Sequence, residues 1–560
     1  MQTFRTPLTA LEDTFRRAPD SAAFKIPKLP LEPGKPCSEW TTVTYKTFRN
    51  DIRSQALDWS RILKTEGIAP GSVVTLWVRG WDYADVTLIY GVLRAGYVPQ
   101  LVSFGVTSAE AIYEVAQSAQ SRLLIADYTL TERLSGCPLP IKLYTPSEHP
   151  AGLQTPSQEE CTYELPELEA LVKDRQDTAF ILLTSGSTSG KPKWVPYTWD
   201  WLDCKMPNLD LLLPPQADHG GQQVYAWLGT ACHGGQFYGI IGSMKNGSCM
   251  VQPSTIPFSS DEFANMVAQC GVTTLIQFPP HYALHLKRAR QDPKFLAILQ
   301  KLDCTVLIGM LLDRDEMDWC LKQGIKLRSG FGSTECGTIL TTLPDRPWVY
   351  TLADPSAVLW KPVEEESPTT STAIQTTTAS SSSSQNLYSL IVLSSSRDCP
   401  APHLRSPIDG HYHMGDLFAE VEPGVYEPRG RADDWIKLAN LALGRCDTKA
   451  IESAVLSVCR DLINACVVTG SLRPELVLFV EVDTPLSAEA EGELKREIIR
   501  RVEPVQAKMW TYEKIVRERQ VRVVRNGVLP RTGVKGNIQR RKVEEMFKEE
   551  LDEMYKSVVA

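Results

Sequence analysis

Residues 180–196 read FILLTSGSTSGKPKWVP, and the interpretation of the whole chain depends on this stretch. Residues 180–183 form a short apolar run bounded by turn-forming residues, which is typical of a buried strand. The run is followed by Thr184, Ser185, Gly186, Ser187, Thr188, Ser189, Gly190, Lys191, Pro192 and Lys193. Glycines let backbone N–H groups turn toward an anion, while hydroxyl groups and lysines add donors and positive charge. The stretch therefore predicts a strand that leads into a loop for nucleotide phosphates, with a solvated Ser/Gly turn as the alternative.

This loop differs from a Walker loop in its spacing. Three residues separate Gly186 from the Gly190-Lys191 pair, where a Walker loop has four, and Pro192 stands where the Mg²⁺-binding Ser or Thr belongs. The spacing argues against a kinase or a P-loop NTPase.

The full string resembles the phosphate-gripping motif T-S-G-[ST]-T-G-x-P-K of the adenylate-forming superfamily. That superfamily includes acyl-CoA ligases, adenylation domains of peptide synthetases and luciferases. Ser189 is one extra residue within the motif, so the closing lysine falls on Lys193 and Lys191 takes the variable place. Which of the two lysines faces the phosphates stays open. The resemblance implies an α/β fold: a large N-terminal domain of helix-covered sheets and a small α+β C-terminal domain.

Composition limits the classes of function. The chain has 560 residues, 43% hydrophobic and 22% charged, with a net charge of −8, which indicates a globular protein of at least two folding units and no nucleic-acid partner. The N-terminus lacks the apolar core of a signal peptide, and we expect no membrane span. Fourteen cysteines without a C-x-x-C pair predict reduced thiols and a cytoplasmic location.

Helical and strand-like patterns alternate along the first part of the chain, which predicts parallel sheets covered by helices. Helices are expected at 45–64, 82–95 and 109–118, and strands at 72–78, 97–102, 122–126, 272–279, 305–309 and 326–329. We expect an N-terminal AMP-binding domain over residues 1–430, with a disordered Ser/Thr-rich insertion at about 363–385. A hinge at 431–434 and a mobile C-terminal domain over residues 435–560 complete the predicted organisation.

A second motif, Phe331-Gly332-Ser333-Thr334-Glu335, resembles the [YF]-G-x-T-E motif of the same superfamily. The resemblance implies that Gly332, Ser333 and Thr334 contact the nucleotide, with the Thr334 hydroxyl on the α-phosphate and Glu335 on Mg²⁺. Mg²⁺ suits this role, since it takes one or two carboxylates together with phosphate oxygens. Taken alone, the string would be a turn at a strand end with a surface carboxylate.

Two further motifs follow in the order that the superfamily has. His413-Met414-Gly415-Asp416-Leu417 resembles Y-x-T-G-D-L with Met414 in place of Thr, which implies that Asp416 binds the ribose hydroxyls. Residues 430–437, GRADDWIK, resemble G-R-x-D-D-x-I-K, which implies that Arg431 contacts the ribose and that Asp433 is the hinge. The alternatives are an Asp in a hairpin turn and a charged surface turn.

The fifth motif covers residues 529–540, LPRTGVKGNIQR, and resembles L-P-x-T-x-x-G-K-I-x-R, whose lysine stabilises the adenylation transition state. Asn537 holds the usual lysine position here. Lys535 is the candidate catalytic lysine, because fungal synthetase-like domains of secondary metabolism have a similar K-G-x-[IV]-Q-R string. A basic loop without a catalytic role is the alternative.

The motif order also locates an acyl site. Ala231-Cys232-His233-Gly234-Gly235 lies where the superfamily has its acyl-site turn, so we expect a mainly apolar slot lined by His233, Gly234, Ser329, Gly330 and Phe331. No Asp or Glu lies between Tyr225 and Ile241, and an unpaired buried ammonium group is costly, so an amino acid is the less favoured substrate. A structural histidine is the alternative for His233.

Together the motifs predict an AMP-forming acid–thiol ligase. Its substrates are ATP with Mg²⁺ and an aryl or aliphatic carboxylic acid, and its acceptor is CoA or the phosphopantetheine of a carrier protein in trans. The loop at 438–452 matches the superfamily only at Gly444, Arg445, Ile451 and Glu452, so the acceptor stays open. The sequence contains no carrier-type G-x-D-S motif, and it can be a fragment of a longer synthetase. The rival function is an impaired member that binds nucleotide or acyl-adenylate as a sensor.

Overall fold

The computed structural model describes residues 4–28, 35–104, 109–146, 164–184, 193–213, 220–354, 357–363, 387–432, 435–436, 438, 446–507, 509, 511–531 and 538–559. The chain folds into two compact units. The first comprises residues 1–358 and 392–412, and the second comprises residues 359–391 and 413–560. No helix within the described ranges is long and apolar enough to cross a membrane.

The first unit contains two sheets covered by helices. Its strands are β1 (Ala22–Pro27), β2 (Trp40–Thr44), β3 (Val73–Val78), β4 (Val98–Ser103), β5 (Leu123–Asp127), β6 (Ile141–Tyr144), β7 (Thr178–Thr184), β8 (Lys193–Thr198), β9 (Val224–Ala226), β10 (Cys249–Val251), β11 (Thr274–Gln277), β12 (Cys304–Ile308), β13 (Leu327–Ser333), β14 (Gly337–Leu343) and β15 (Arg346–Leu352). Its helices are α1 (Pro7–Arg17), α2 (Tyr45–Thr65), α3 (Tyr83–Arg94), α4 (Ala109–Ser118), α5 (Trp199–Lys205), α6 (Leu209–Leu212), α7 (Gly234–Asn246), α8 (Ser260–Asn265), α9 (Pro279–Gln291), α10 (Pro293–Lys301) and α11 (Arg314–Lys322).

The six-stranded sheet has the order β6-β5-β3-β4-β7-β8. The neighbours from β6 to β7 are parallel, and β7 and β8 are antiparallel. Leu76 and Trp77 of β3 point to opposite faces of the sheet, yet both side chains are fully buried, as expected for a parallel strand covered on both sides. The predicted alternation of helices and parallel strands is therefore confirmed, with boundaries within two residues in this region.

The larger sheet of this unit has the order β15-β14-β13-β12-β11-β9-β10-β1-β2. Strands β9, β11, β12 and β13 are parallel, so their carboxyl ends lie along one edge. After β13 the sheet becomes antiparallel through β14 and β15. The sequence predicts a strand over 326–329, whereas β13 continues to Ser333, because its final residues pair with β14.

The second unit is smaller and mixes sheets with helices. Its strands are β16 (Val358–Pro362), β17 (Leu387–Val392), β18 (Tyr412–Glu422), β19 (Val425–Arg431), β20 (Trp435–Ile436), β21 (Cys446–Asp447), β22 (Ala465–Thr469), β23 (Val477–Val482) and β24 (Val521–Arg525), and its helices are α12 (Thr448–Cys459), α13 (Ala488–Val505), α14 (Arg540–Met546) and α15 (Lys548–Val559). Most residues of the predicted insertion lie outside the described ranges. The predicted domain boundaries stay predictions.

A buried carboxylate organises the sheet β22-β23-β24 of the second unit. Glu481 lies inside β23, and its side chain is fully buried. Its Oε1 accepts hydrogen bonds from the backbone N–H groups of Gly527 and Leu529 and from Nη1 of Arg531, each at 3.0 Å. A buried charge is tolerated in a strand when its oxygens are this well satisfied.

We expect Glu481→Leu to lower the free energy of unfolding by about 3 kcal/mol, because Arg531 and two backbone donors lose their acceptor. Denaturant unfolding of the full chain measures the change. Glu545→Leu, on the exposed face of α14, is the control and should change the free energy by less than about 0.5 kcal/mol. Equal effects of the two substitutions would contradict the structural role of Glu481.

Candidate functional site

The predicted phosphate loop begins and ends at two paired strands. Thr184 at the end of β7 faces Lys193 at the start of β8 in the antiparallel register. The predicted buried strand at 180–183 is confirmed as part of β7. Ser185, Gly186, Ser187, Thr188, Ser189, Gly190 and Lys191 lie outside the described residues. Of the predicted phosphate-binding residues, the structure thus places Thr184 and Lys193, and it places them opposite each other.

The second motif forms a tight hairpin between β13 and β14. Gly332 pairs with Thr338, and Ser333 pairs with Gly337. A Cβ atom on Gly332 would lie 2.0 Å from the carbonyl oxygen of Gly337, so only glycine fits there. The hairpin leaves the half-buried Thr334 and Glu335 at its tip, adjacent in sequence and held by one turn.

A tyrosine ties this turn to the phosphate-loop hairpin. Tyr197 on β8 donates a hydrogen bond of 2.6 Å from its hydroxyl to the carbonyl oxygen of Thr334. The Tyr197 ring stacks on Trp201, with ring centroids 4.1 Å apart and planes at 9°. Burial raises the pKa of Tyr197, so the hydroxyl keeps its proton and remains a donor. Sequence reasoning missed Tyr197, and the only signal was the row of aromatic residues after Lys193.

A second tyrosine contacts the predicted Mg²⁺ ligand directly. The Tyr412 hydroxyl forms side-chain hydrogen bonds with Ser333 and Glu335. Burial, and then the negative charge of Glu335, raise the pKa of Tyr412, so it donates to the carboxylate and fixes its orientation. Sequence reasoning missed this residue too, although it stands at the tyrosine of the Y-x-T-G-D-L motif.

The hairpin also rests on a buried ion pair. Lys205 at the end of α5 pairs with Asp398, and both side chains are less than one tenth exposed. A Cβ atom on Gly337 would lie 3.1 Å from Cε of Lys205, which shows how closely the lysine stem packs beneath the turn. The Lys205 ammonium group also lies 5.4 Å from the Trp201 ring centroid. Tyr197, Trp201 and Lys205 thus form one support for Thr334 and Glu335.

The predicted acyl-site turn begins helix α7. His233 is the N-cap residue, and its Nδ1 accepts a hydrogen bond of 3.2 Å from the backbone N–H of Gly235. In a neutral imidazole ring this acceptor role places the proton on Nε2. A Cβ atom on Gly234 would lie 3.8 Å from Oγ1 of Thr334, so the acyl-site turn and the nucleotide turn are neighbours.

An apolar wall lies along the same carboxyl edge. The Phe278 ring meets the His233 ring edge-on at 5.4 Å, and a Cβ atom on Gly309 would lie 3.2 Å from the Phe278 ring. Phe278 belongs to a cluster with Leu212, Leu228 and Ile308. Sequence reasoning missed Phe278, although its place directly after β11 was a usable signal, since residues following parallel strands share one edge.

The predicted slot residues on β13 divide between the two faces of the strand. Gly330 faces the apolar cluster, because a Cβ atom there would lie 2.6 Å from Leu212. Ser329 faces the other way and is buried. Its hydroxyl donates to the carbonyl oxygen of Leu307 and accepts from Tyr350, both at 3.0 Å. Phe331 also faces Tyr350, with ring centroids 6.2 Å apart. Gly330 therefore faces the apolar cluster that contains Phe278, the ring neighbour of His233, whereas Ser329 and Phe331 face Tyr350 on the other side of the strand.

The predicted ribose residues pair with each other in the second unit. Asp416 on β18 faces Arg431 at the end of β19, and Nη1 of Arg431 lies 3.4 Å from Oδ2 of Asp416. Gly415 has a φ of +76°, and a Cβ atom there would lie 2.8 Å from the Arg431 guanidinium group. Because Asp416 lies within a strand, the alternative of a hairpin turn is wrong. Asp433 and Lys535 lie outside the described residues.

The donor set suits Mg²⁺ bound together with a nucleotide. Within the described part of the chain, no three carboxylate, imidazole or thiol side chains come together as a metal site. Glu335 offers one oriented carboxylate, and Mg²⁺ needs no more than one or two when phosphate oxygens and water complete its shell. The residues present therefore fit a metal that arrives with ATP.

Comparisons with known proteins identify the family. The model of the AMP-binding enzyme family matches residues 11–365, and that of the AMP-binding enzyme C-terminal domain matches residues 433–559. The AMP-binding domain-containing enzyme iboA of Amanita muscaria (strain Koide BX008) is 33% identical over 531 residues, which cover 93% of this chain and 99% of that protein. The chain belongs to the AMP-binding enzyme family.

Solved structures show the same fold at low sequence identity. The o-succinylbenzoate CoA synthetase MenE from Bacillus subtilis, in complex with its acyl-adenylate OSB-AMP, is 15% identical with a TM-score of 0.68, and the match covers 96% of this chain and 97% of that one. ATP-bound MatB from Rhodopseudomonas palustris is 16% identical with a TM-score of 0.69, covering 97% and 99%. The anthranilate CoA ligase AuaEII, in complex with anthranoyl-AMP, is 18% identical with a TM-score of 0.68, covering 98% of each chain. The predicted adenylate-forming fold is confirmed.

We expect Gly332→Ala to destabilise the first unit by about 2 kcal/mol, because the new methyl group cannot fit beside the Gly337 carbonyl without moving the hairpin. Thermal or denaturant unfolding measures the loss. Gly239→Ala inside α7 is the control: a Cβ atom there would lie 3.4 Å from the flexible end of Met250, and helix propensity favours alanine. A Gly332→Ala variant as stable as the Gly239→Ala variant would contradict the hairpin geometry.

Proposed function

We propose that the chain is an AMP-forming acid–thiol ligase that activates an aryl or aliphatic carboxylic acid with ATP. One observation carries this proposal. The His233–Gly234 turn and the Thr334–Glu335 turn lie side by side at the carboxyl edge of β9, β11, β12 and β13. Ligands of open α/β sheets bind at this edge. An acid on the apolar side and a nucleotide on the Thr334 side would meet with their reacting groups adjacent.

The first step joins the acid to the nucleotide. A carboxylate oxygen attacks the α-phosphorus of ATP, the bond from that phosphorus to the bridging oxygen breaks, and pyrophosphate leaves. The products are an acyl-adenylate and pyrophosphate. This chemistry needs alignment and charge neutralisation more than a covalent catalyst. The residues that would hold the phosphates are Thr334 and those of the phosphate loop, among them Thr184, Lys191 and Lys193.

His233 has a specific task in this step. Its Nδ1 accepts from Gly235, which places the proton of a neutral ring on Nε2, and we propose that this N–H donates to an oxygen of the substrate carboxylate. A neutral donor beside the apolar wall of Phe278 and Ile308 orients a carboxylate without a fixed positive charge. The wall supports an aryl or aliphatic acid over an amino acid, because the Phe278 and Ile308 side chains that line it offer no charge to pair with an ammonium group.

Glu335 and Tyr412 would hold Mg²⁺ in place. When bound, Mg²⁺ spreads the negative charge that builds on the phosphates. The Tyr412 hydroxyl donates to Glu335 and so restricts the carboxylate to one orientation. Asp416, steadied by Arg431, is the proposed acceptor for the ribose hydroxyls.

In the second step a thiol attacks the acyl carbon, a thioester forms and AMP leaves. CoA is the proposed thiol, and the phosphopantetheine of a carrier protein is the second candidate. CoA is supported by the names of the structural neighbours, which are CoA synthetases or ligases in two of the three cases above. We infer that the C-terminal domain turns about Asp433 between the two steps and withdraws Lys535.

The test is release of pyrophosphate from ATP with a panel of benzoic, fatty and amino acids, followed by addition of CoA to the active cases. Release with aryl or fatty acids, and a thioester after CoA is added, would support the proposal. Release without a thioester would favour a carrier protein as acceptor. No release with any acid, in a protein that still binds ATP, would favour a sensor and would overturn the ligase.

We expect Glu335→Gln to lower the rate of pyrophosphate release by about 100-fold and to raise the Mg²⁺ concentration needed for half-maximal rate, because an amide is a weaker ligand for a hard cation. Steady-state rates across a Mg²⁺ titration measure both effects. Glu39→Gln, on the surface, is the control and should match the unchanged protein. An unaltered Mg²⁺ dependence in Glu335→Gln would remove Glu335 from the metal site.

We expect Lys535→Ala to abolish exchange of pyrophosphate into ATP and to leave thioester formation from a supplied acyl-adenylate largely intact, since the lysine acts only in the first step. Isotope exchange and a thioester assay measure the two half-reactions separately. Lys542→Ala, an exposed lysine on α14, is the matched control. Full exchange activity in Lys535→Ala would show that another residue stabilises the adenylation transition state.

A further inference from the structure

A buried carboxyl group is linked by hydrogen bonds to the loop that carries His233. Asp85 is near the start of α3, and its side chain is fully buried. Its Oδ2 accepts a hydrogen bond of 2.7 Å from the backbone N–H of Gly80, which lies in the connection from β3 to α3. Gly80 has a φ of +74°, a conformation that favours glycine. Asp85 therefore holds a backbone position that suits glycine and few other residues.

The Gly80 position bonds in turn to the loop that follows β9. The backbone N–H of Ala231 donates to the carbonyl oxygen of Gly80 at 2.5 Å, and the hydroxyl of Thr230 donates to the carbonyl oxygen of Arg79 at 2.8 Å. A Cβ atom on Gly80 would lie 2.2 Å from Oγ1 of Thr230. The two segments are thus in direct backbone contact, and they link the six-stranded sheet to the larger sheet of the same unit.

The same loop ends at the proposed acyl-site residue. The backbone N–H of His233 donates to the carbonyl oxygen of Thr230 at 2.9 Å, and that of Cys232 donates to Oγ1 of Thr230 at 3.2 Å. Thr230 therefore bonds to Arg79 through its hydroxyl group and to His233 through its carbonyl oxygen. The carbonyl oxygens of Arg79 and Gly80 thus hold the loop at Thr230 and Ala231, two or three residues before His233.

The charged and titratable groups around Asp85 are Asp82, Asp127, Arg79, Tyr144 and Cys232. Nε of Arg79 lies 3.5 Å from Oδ2 of Asp127, so Arg79 forms an ion pair with Asp127. Within the described residues no cation forms an ion pair with Asp85. Burial, followed by the charge of Asp82, raises the pKa of Asp85 to about 8. At neutral pH Asp85 is therefore a neutral acid that accepts from Gly80 without a buried charge.

We propose that Asp85 is a positioning residue for the acyl slot: through Gly80 and Ala231 it holds the loop that carries His233. The kinetic consequences of this proposal rest on the proposed ligase function, whereas its structural consequences do not. Because Asp85 acts on the loop that carries His233 and not on the Thr334–Glu335 turn, its removal should alter use of the acid and leave use of ATP nearly unchanged.

The first experiment needs no enzymatic activity. Hydrogen exchange measured by mass spectrometry should show at least about tenfold faster exchange in peptides covering residues 226–234 of Asp85→Leu, the loss expected for one buried hydrogen bond. Asp85→Asn keeps an acceptor for Gly80 and should exchange like the unchanged protein. Asp51→Leu is the matched control: Asp51 is also buried and accepts from Tyr83 at 2.7 Å, but it does not contact this loop. Equal exchange at 226–234 in the Asp85→Leu and Asp51→Leu variants would overturn the proposal.

The second experiment uses an acid that the pyrophosphate panel has shown to be active. We expect Asp85→Leu to raise KM for the acid by about tenfold, with KM for ATP within about twofold, and Asp85→Asn to restore the acid KM. A proportional change in both KM values, or no rescue by asparagine, would overturn the positioning role. If no acid is active, the ligase proposal fails, whereas hydrogen exchange still decides the role of Asp85.

Stability against pH checks the state of the carboxyl group and remains informative if Asp85→Leu does not fold. An unfolded Asp has a pKa near 3.9, and the folded value is about 8. Between about pH 4 and pH 8 the folded chain retains a proton that the unfolded chain loses, so its stability falls as pH rises. Relative to Asp85→Asn, the unchanged protein should become steadily less stable from pH 5 to pH 8. A constant difference across that range would show that Asp85 is ionised and would overturn its role as a neutral acceptor.

Discussion

The hydrogen bond from Tyr197 to the carbonyl oxygen of Thr334 is the contact on which the candidate site most depends. It joins β8, which begins at the end of the phosphate loop, to the hairpin that presents Thr334 and Glu335. Each of these segments belongs to a different sheet of the first unit, so local chain geometry cannot set their separation. A buried donor and a backbone acceptor, each costly to leave unpaired, fix it instead.

The same principle recurs on the acyl side of the site. Ala231 donates to the carbonyl oxygen of Gly80, the Thr230 hydroxyl donates to that of Arg79, and Asp85 accepts from the backbone N–H of Gly80. Both links run between the two sheets and end within one or two residues of a proposed functional side chain. The site is thus built on turns that buried polar contacts hold against rigid strands, which is how loop residues achieve the precision that catalysis needs.

Glycines decide how closely these turns approach each other. Gly332 admits the Gly337 carbonyl, and Gly330 admits Leu212. In both cases a methyl group would fill space that the neighbouring residue occupies. Phe278, Leu212 and Ile308 then form the apolar wall of the proposed acyl side.

The sequence predicted much of the fold because the relevant signals are local. The apolar run in β3 and the amphipathic pattern of α2 depend on neighbouring residues, and the structure has both elements within a residue of their predicted ends. The motifs likewise singled out Thr334, Glu335, His233 and Asp416 by residue type and order. Long-range contacts left weaker traces: the sequence offered a signal for Tyr197, Phe278 and Tyr412, but their contacts became visible only when distant segments were brought together.

By itself the sequence determined the fold class, the family and the residue types available for the chemistry, since periodicity and short motifs are properties of adjacent residues. Only the tertiary structure decided which predicted residues share a place. It put Gly234 beside Thr334, turned Ser329 and Phe331 to the opposite face from Gly330, and buried Asp85 behind the acyl-site loop. The physical reason is that strand pairing and side-chain packing, which act between segments far apart in sequence, set the direction of each side chain.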